Sequence, residues 1–204
     1  MFKSIRVRIG AAAVACAALQ GLAVQAAPVA FQVSPVAFSE GGGYGTDFIE
    51  ATGSLLGVAF NATPGFNSFT LNTPGDSASF SFGSITMQDS LGINASELDD
   101  LGVSASFLFL DPLLGLTSVT ATGTAVAGPL IDLAVDLTIN WDPVVIAFGS
   151  GGSFLLNINS QFFNQADQER SVTATITLLT VPEPASLALV GLALTGLALR
   201  RRRA

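Results

Sequence analysis

Carboxylates are the side chains of this 204-residue sequence best suited to acid–base chemistry, because it contains no histidine and its one cysteine is Cys16. Without histidine, the sequence excludes a Ser-His-Asp or Cys-His nucleophile, His-ligated zinc and the usual general base with a pKa near neutrality. Carboxylate chemistry and Ca²⁺ binding through oxygen ligands remain open. The spacing of the acidic residues therefore decides whether the sequence can encode an enzyme.

Two groups of acidic residues are close enough in sequence to be considered. Asp132 and Asp136 lie four residues apart on a predicted strand, which places them on one face about 13 Å apart. Glycosidase carboxyl groups lie about 5 to 9.5 Å apart, so we expect this pair to be solvated on the outer face. Glu97, Asp99 and Asp100 lack the alternating acids and central glycine of a calcium loop, and we interpret them as charges of a short helix. The sequence therefore predicts no catalytic residue, no metal site and no cofactor.

The single tyrosine and the single tryptophan combine a ring face with a polar group. Sugar-binding modules stack pyranose rings on such faces, so Tyr44 and Trp141 are candidate glycan contacts. A stacking platform normally uses two or three such rings, and Trp141 follows a long apolar strand, where core packing is expected. A carbohydrate-binding module of the cell surface therefore stays open as the alternative function.

The charge of the chain is divided sharply between its ends and its middle. Seven of the eight basic residues lie before residue 9 or after residue 199, whereas residues 27–181 contain fourteen acidic residues and one basic residue, Arg170. The middle of the chain therefore carries a net charge of −13. Nucleic acid is excluded as a partner, since phosphate binding needs clustered lysine and arginine.

The N-terminal segment has the organisation of an export signal. A positive leader at residues 3–8 precedes an apolar run at 9–19, and small residues then lead to Ala26. This pattern predicts a signal peptide at residues 1–26, cleaved by signal peptidase after Ala26. Two alternatives remain: an uncleaved membrane helix, and a lipoprotein signal whose box at 13–16 lacks the usual leading leucine.

The C-terminal segment has three parts. The prolines of the segment 181–187 fix φ and remove backbone donors, which predicts an extended, accessible stretch. Residues 185–199 are uncharged and contain six leucines, and arginines then dominate 200–204. We predict a short transmembrane helix of about 22 Å, against a hydrocarbon core of about 30 Å, with its basic end in the cytoplasm.

This tail resembles the PEP-CTERM sorting domain of Gram-negative bacteria that produce exopolysaccharide, over about 24 residues at 181–204. The resemblance implies recognition by an exosortase, a membrane-embedded enzyme with a cysteine-protease-like site that removes the tail. The residues that match the recognition motif and the basic cluster are Pro182, Glu183, Pro184, Arg200, Arg201, Arg202 and Arg203.

Residues 27–180 alternate between apolar and polar positions, for example at 103–109 and 172–178. Period-two alternation with β-branched and aromatic residues, interrupted by glycine and proline, is typical of half-buried antiparallel strands. We predict nine or ten short strands in an all-β antiparallel sandwich or jelly-roll domain. We also predict a helix at 97–101 capped by Ser96, and a hairpin that pairs 154–163 with 171–179.

Together these patterns predict an exported, non-catalytic protein of the cell surface or extracellular matrix, associated with exopolysaccharide or biofilm. Its expected partners are signal peptidase, exosortase, transiently the inner membrane, and exopolysaccharide. Its precursor is expected to be tethered to the inner membrane before the domain at 27–180 reaches the surface.

Overall fold

A computed structural model of the protein describes residues 27–45, 55–89, 92–130, 134–182 and 191–192. The described residues form an all-β antiparallel sandwich, which confirms the fold class predicted from the alternating pattern. The strands are β1 (Val29–Glu40), β2 (Val58–Ala62), β3 (Asn67–Leu71), β4 (Ser77–Met87), β5 (Gly102–Asp111), β6 (Gly115–Ala125), β7 (Leu137–Trp141), β8 (Val144–Phe148), β9 (Gly152–Ile158), β10 (Gln161–Phe163) and β11 (Glu169–Thr180).

The strands form two sheets that pack face to face. The six-stranded sheet has the order β10-β7-β6-β5-β1-β3, and the five-stranded sheet has the order β2-β4-β11-β9-β8. Every pair of neighbouring strands is antiparallel. The connection from β3 to β4 crosses between the sheets, and so does the connection from β9 to β10.

Alternation along each strand decides which face is buried. In β11, Val172, Ala174, Ile176 and Leu178 are fully buried, and the intervening threonines are more exposed. The same period-two burial occurs along β5, as expected for strands with one face on the core. The apolar positions of the period-two sequence pattern are therefore the positions that are buried in the core.

Phenylalanine rings from both sheets fill the space between them. Phe107 of β5 meets Phe82 of β4 edge to face, with ring centroids 4.8 Å apart. Phe154 of β9 contacts Phe31 of β1 and Phe109 of β5, with both centroid distances 5.2 Å. Such rings bury large apolar areas and gain further from edge-to-face packing. These contacts hold the two sheets together and fix which of their ends coincide.

The predicted helix at 97–101, capped by Ser96, is wrong in its length and in its cap. The structure has a single 3₁₀ turn at Ala95–Glu97 that starts from Asn94. The backbone N–H of Asn94 donates to Oε2 of Glu97 at 2.8 Å, which closes the turn. Asp100 has a φ of +54°, which is incompatible with a right-handed helix, so the chain turns away before β5.

The predicted hairpin between 154–163 and 171–179 is correct only for its first part. β9 pairs with β11, from Ile158 opposite Ala174 to Ser153 opposite Thr180. Asn159 then accepts the N–H of Thr173 with its Oδ1 at 2.6 Å, at the end of the β9 ladder. The chain crosses over, and β10 pairs with β7 in the other sheet.

Candidate functional site

The sorting segment begins directly where β11 ends, with no linker in between. The Thr180 hydroxyl donates to the carbonyl of Gly151 at 2.8 Å, and it lies 2.8 Å from the Ser153 hydroxyl. The side chain of Val181 is half-buried against the core, and Pro182 lies beside Gly149 of the β8–β9 turn. The first residues of the sorting segment are therefore held by the sandwich itself.

Most other residues predicted for processing lie outside the described residues. This applies to Glu183, Pro184, the arginines 200–203 and the signal-cleavage residue Ala26. It applies also to the predicted membrane helix at 185–199, apart from Gly191 and Leu192. Among the residues that the structure describes, no helix has the length and apolarity needed to cross a membrane.

Trp141 lies in the core of the sandwich, with 6% of its surface exposed. Its indole N–H donates to Oε1 of Gln161, a buried residue of the neighbouring strand β10, at 2.9 Å. Its ring packs near Phe38, with centroids 6.2 Å apart. The ring of Trp141 therefore packs in the core, as expected from the apolar strand before it, and exposes no face on which a sugar could stack.

Tyr44 is also buried, with 5% of its surface exposed. Its hydroxyl donates to the carbonyl of Leu101 at 2.9 Å, and its ring meets Phe60 edge to face at 5.0 Å. Burial, and to a smaller extent the charge of Glu40, raise the pKa of this hydroxyl. Tyr44 therefore ties the loop after β1 to the start of β5, and its ring contacts protein rather than solvent.

Two acidic residues depart from the solvated positions expected of them. Asp136 is 5% exposed, and its backbone N–H and carbonyl bond to Phe163 and Val126. Asp136 immediately precedes β7 rather than lying within a strand, and these bonds attach it beside the ends of β6 and β10. Glu97 is 1% exposed, because its carboxylate caps its own 3₁₀ turn. Asp132 lies outside the described residues.

Asp99 and Asp100 are exposed, and Asp100 has a clear structural role. Its Oδ2 accepts the N–H of Gly42 at 2.7 Å, and its carbonyl accepts the N–H of Gly43 at 3.1 Å. Asp100 therefore joins the glycine loop after β1 to the segment before β5. Within the described residues, no three acidic side chains come together in a way that could hold a metal ion.

A cleft that the sequence patterns did not indicate opens where β10 approaches the start of β11. Its volume is about 380 Å³, and Phe162, which is 50% exposed, forms part of its wall. The Arg170 Nε donates to the Phe162 carbonyl at 3.1 Å, which ties the guanidinium to the backbone of β10. The lining residues are Asn159, Ser160, Gln161, Phe162, Arg170 and Ser171.

This cleft combines the one basic residue of the domain with an exposed aromatic ring and several amides and hydroxyls. Among the described residues, no acidic side chain forms an ion pair with Arg170. The sequence did show Arg170 as an isolated basic residue, but it did not show that the residues around the β9–β10 crossover form a cleft with it. Trp141 lies behind this wall and bonds to Gln161, one of the lining residues.

The family model of the PEP-CTERM protein-sorting motif matches residues 180–203, which contain the Pro-Glu-Pro motif and the arginines. In comparisons with curated proteins and with solved structures, no significant match was found. The motif implies export through a membrane-anchored precursor and processing by exosortase. The match begins at Thr180, the last residue of β11, so the sorting segment follows the folded domain directly. The chain is therefore a PEP-CTERM domain-containing protein, a substrate of exosortase.

Proposed function

We propose that this protein is a non-catalytic component of the cell surface or extracellular matrix, released from its membrane tether by exosortase and associated with exopolysaccharide. The observation that carries the proposal is the sorting motif at 180–203, which directly follows the β-sandwich. The absence of histidine from the sequence further disfavours common nucleophilic and acid–base mechanisms.

The proposed organisation has three parts. Signal peptidase removes residues 1–26 after Ala26, the sandwich occupies 27–180, and the sorting signal occupies 181–204. The basic ends stay on the cytoplasmic side of the inner membrane, since clustered arginine and lysine resist translocation. The sandwich crosses, with its fourteen acidic residues and single basic residue. That net charge favours a soluble, self-repelling domain in a hydrated matrix.

The test is to follow the protein in cells with and without the exosortase. We expect a processed form that lacks everything beyond about Pro184 in the surface or matrix fraction of normal cells. Without the exosortase, the full-length form should accumulate at the inner membrane. Mass spectrometry that finds the intact Arg203-Ala204 end on exported protein would contradict the proposal, as would a folded full-length form in the cytosol.

A matched pair of variants links processing to the motif. Glu183→Ala removes the acid of the Pro-Glu-Pro motif, and we expect unprocessed protein to accumulate. Glu40→Ala removes an exposed acid at the end of β1 and should be processed like the parent. Equal processing of both variants would show that the motif is not what the enzyme recognises.

A carbohydrate-binding module remains the second candidate, and the cleft at Arg170 is the observation that favours it. Phe162 offers an exposed ring for stacking, and the amides and hydroxyls around it suit sugar hydroxyl groups. The guanidinium suits one carboxylate on the sugar, because it presents several donors in a fixed plane. The cleft thus replaces Trp141 and Tyr44 as the candidate contact surface.

This alternative is tested by titrating the protein with oligosaccharides cut from the exopolysaccharide of the host. We expect saturable binding that Phe162→Ala weakens. Phe66→Ala removes a phenylalanine of similar exposure, 57%, that does not line the cleft, and it should bind like the parent. Binding that is absent, or that both variants lose equally, would reject the cleft as a glycan site.

A further inference from the structure

We propose that one end of the sandwich is a membrane-facing surface, whose exposed leucines rest in the lipid headgroup region while the precursor is tethered. The surface consists of the β5–β6 turn with Leu114, the adjacent start of β6 with Leu116, and the exit of the chain at 179–182; we refer to it as the tether end. The tethered precursor of the proposed function is a premise of this orientation.

The contacts of the core show that these segments share one end. Phe154 follows Ser153, which pairs with Thr180 at the end of β11. Phe154 packs against Phe109, which pairs with Gly115 at the start of β6. The exit of the chain and the β5–β6 turn therefore lie at the same end of the two sheets.

The start of the domain lies there as well. Val29, the first residue of β1, pairs with Leu71 at the end of β3. The turn after β3 then reaches the exit strand, where the N–H of Gly75 donates to the carbonyl of Leu178 at 2.7 Å. Both ends of the described domain thus leave from the tether end, towards the two apolar segments of the chain.

Leu114 has two features that packing within the domain does not explain. It is 83% exposed, the largest exposure among the large apolar side chains that the structure describes, and its φ is +52°. The left-handed region disfavours any residue with a Cβ, and glycine or asparagine normally takes such a turn position. A leucine that is both strained and exposed indicates a surface on which an apolar side chain is useful.

The apolar surface continues from the turn onto the sheet. Leu116 is 65% exposed and pairs directly with Leu108 of β5, so both side chains lie on the outer face. Leu179, next to the exit, is 38% exposed. Leu114 and Leu116 are neighbours on the side of the six-stranded sheet, and Leu179 lies on the outer face of the other sheet, so exposed leucines occur on both sides of the end from which the tether leaves.

The length of chain after the exit identifies lipid as the occupant. Only two residues, Glu183 and Pro184, separate the apolar stretch 185–199 from Pro182, the last described residue of the exit, so a tail inserted in the bilayer holds this end against the headgroups. Asp76 and Asp111 also lie at the tether end, and their carboxylates must stay hydrated, which limits insertion to the leucine side chains.

The test measures the depth of a spin label on the full chain in vesicles of phosphatidylethanolamine and phosphatidylglycerol. The chain carries Cys16→Ser, and the label is placed at Leu114→Cys. Val126→Cys is the matched control, because Val126 is 63% exposed and is separated from position 114 by the whole of β6, which is about 33 Å long. Equal melting temperatures of both variants and the parent establish that the fold is kept.

We expect the label at position 114 to be more accessible to oxygen than to a nickel chelate, at a depth of about 5 to 10 Å in the interface. The label at position 126 should be accessible to the nickel chelate.

Flotation of the chain with the vesicles separately measures whether the tail anchors the chain in the membrane. Flotation with an aqueous label at 114 overturns this inference and leaves the proposed function standing. Absence of flotation overturns both this inference and the proposed function. If the label at position 114 is shielded from the nickel chelate but loses that shielding when the protein is diluted in lipid, a second copy of the chain covers the surface, which also overturns the inference.

Discussion

The indole N–H of Trp141 donates to Oε1 of Gln161 at 2.9 Å, and both residues are buried. This bond joins the last residue of β7 to the first residue of β10, at the edge of the six-stranded sheet. Because Gln161 lines the cleft, this bond makes Trp141 a support of the cleft wall.

Trp141→Phe should lower the free energy of unfolding by about 1 to 3 kcal/mol, because it leaves a buried amide oxygen without its donor. Trp141→Ala should cost more, about 3 to 5 kcal/mol, since it also opens a cavity. Urea unfolding measures both losses. A double-mutant cycle with Gln161→Leu should give a coupling energy of at least about 0.5 kcal/mol. Coupling near zero would show that the bond contributes nothing.

Leu114→Gly should raise the stability of the domain by about 0.5 to 1 kcal/mol, because it relieves the positive φ of the β5–β6 turn. Leu116→Gly should have the opposite sign, since glycine weakens a strand by about 0.5 to 1 kcal/mol. Thermal unfolding of the two variants provides the comparison. A lower melting temperature for Leu114→Gly would show that the leucine side chain stabilises the turn.

Gly123→Ala should destabilise the domain by about 1 to 3 kcal/mol. A Cβ at this buried position would collide with the Tyr44 hydroxyl and would lie 2.7 Å from the Leu101 carbonyl. Gly102→Ala is the control, because nothing lies within 4 Å of its added Cβ. Calorimetric melting temperatures test the prediction. The loss should be smaller when Gly123→Ala is made in a Tyr44→Phe background, and an undiminished loss would place the conflict elsewhere.

The carboxylate of Asp76 should cause the free energy of unfolding to fall at acid pH. Its carboxylate accepts the N–H groups of Asn72 and Thr73 at 2.9 and 3.0 Å and the Thr73 hydroxyl at 2.9 Å. These bonds favour the charged form and lower the pKa of Asp76 in the folded state. The unfolded chain therefore binds more protons, so the stabilisation is present above the unfolded pKa of about 4 and is lost as the pH falls through the folded pKa.

The measurement compares urea unfolding of the parent and Asp76→Asn across this pH range. The parent should be the more stable protein at neutral pH, and the difference should shrink as the pH falls. Asp142→Asn, at an exposed carboxylate after β7, controls for the change in net charge. A difference between the parent and Asp76→Asn that is independent of pH would contradict the role of the carboxylate.

Local patterns predicted the fold class well because they depend on neighbours in sequence. The alternation at 103–109 and at 172–178 gave two central strands, and every second residue there is buried as expected. The crossover after Ile158 was missed, because it depends on the pairing of β10 with β7, a strand that is remote in sequence. The burial of Asp136 was missed for a similar reason, since its backbone partners are remote in sequence.

The sequence by itself determined how the protein is delivered, because the Pro-Glu-Pro motif, the apolar stretch and the arginines are read as a linear signal. It also determined an acidic, antiparallel β domain, through composition and period-two alternation. Only the tertiary structure decided which side chains meet: it buried Trp141 and Tyr44, placed Phe162 beside Arg170, and brought Leu114 to the end where β11 leaves. These relationships depend on strand order and register, which are set by long-range packing and are not encoded in any local pattern.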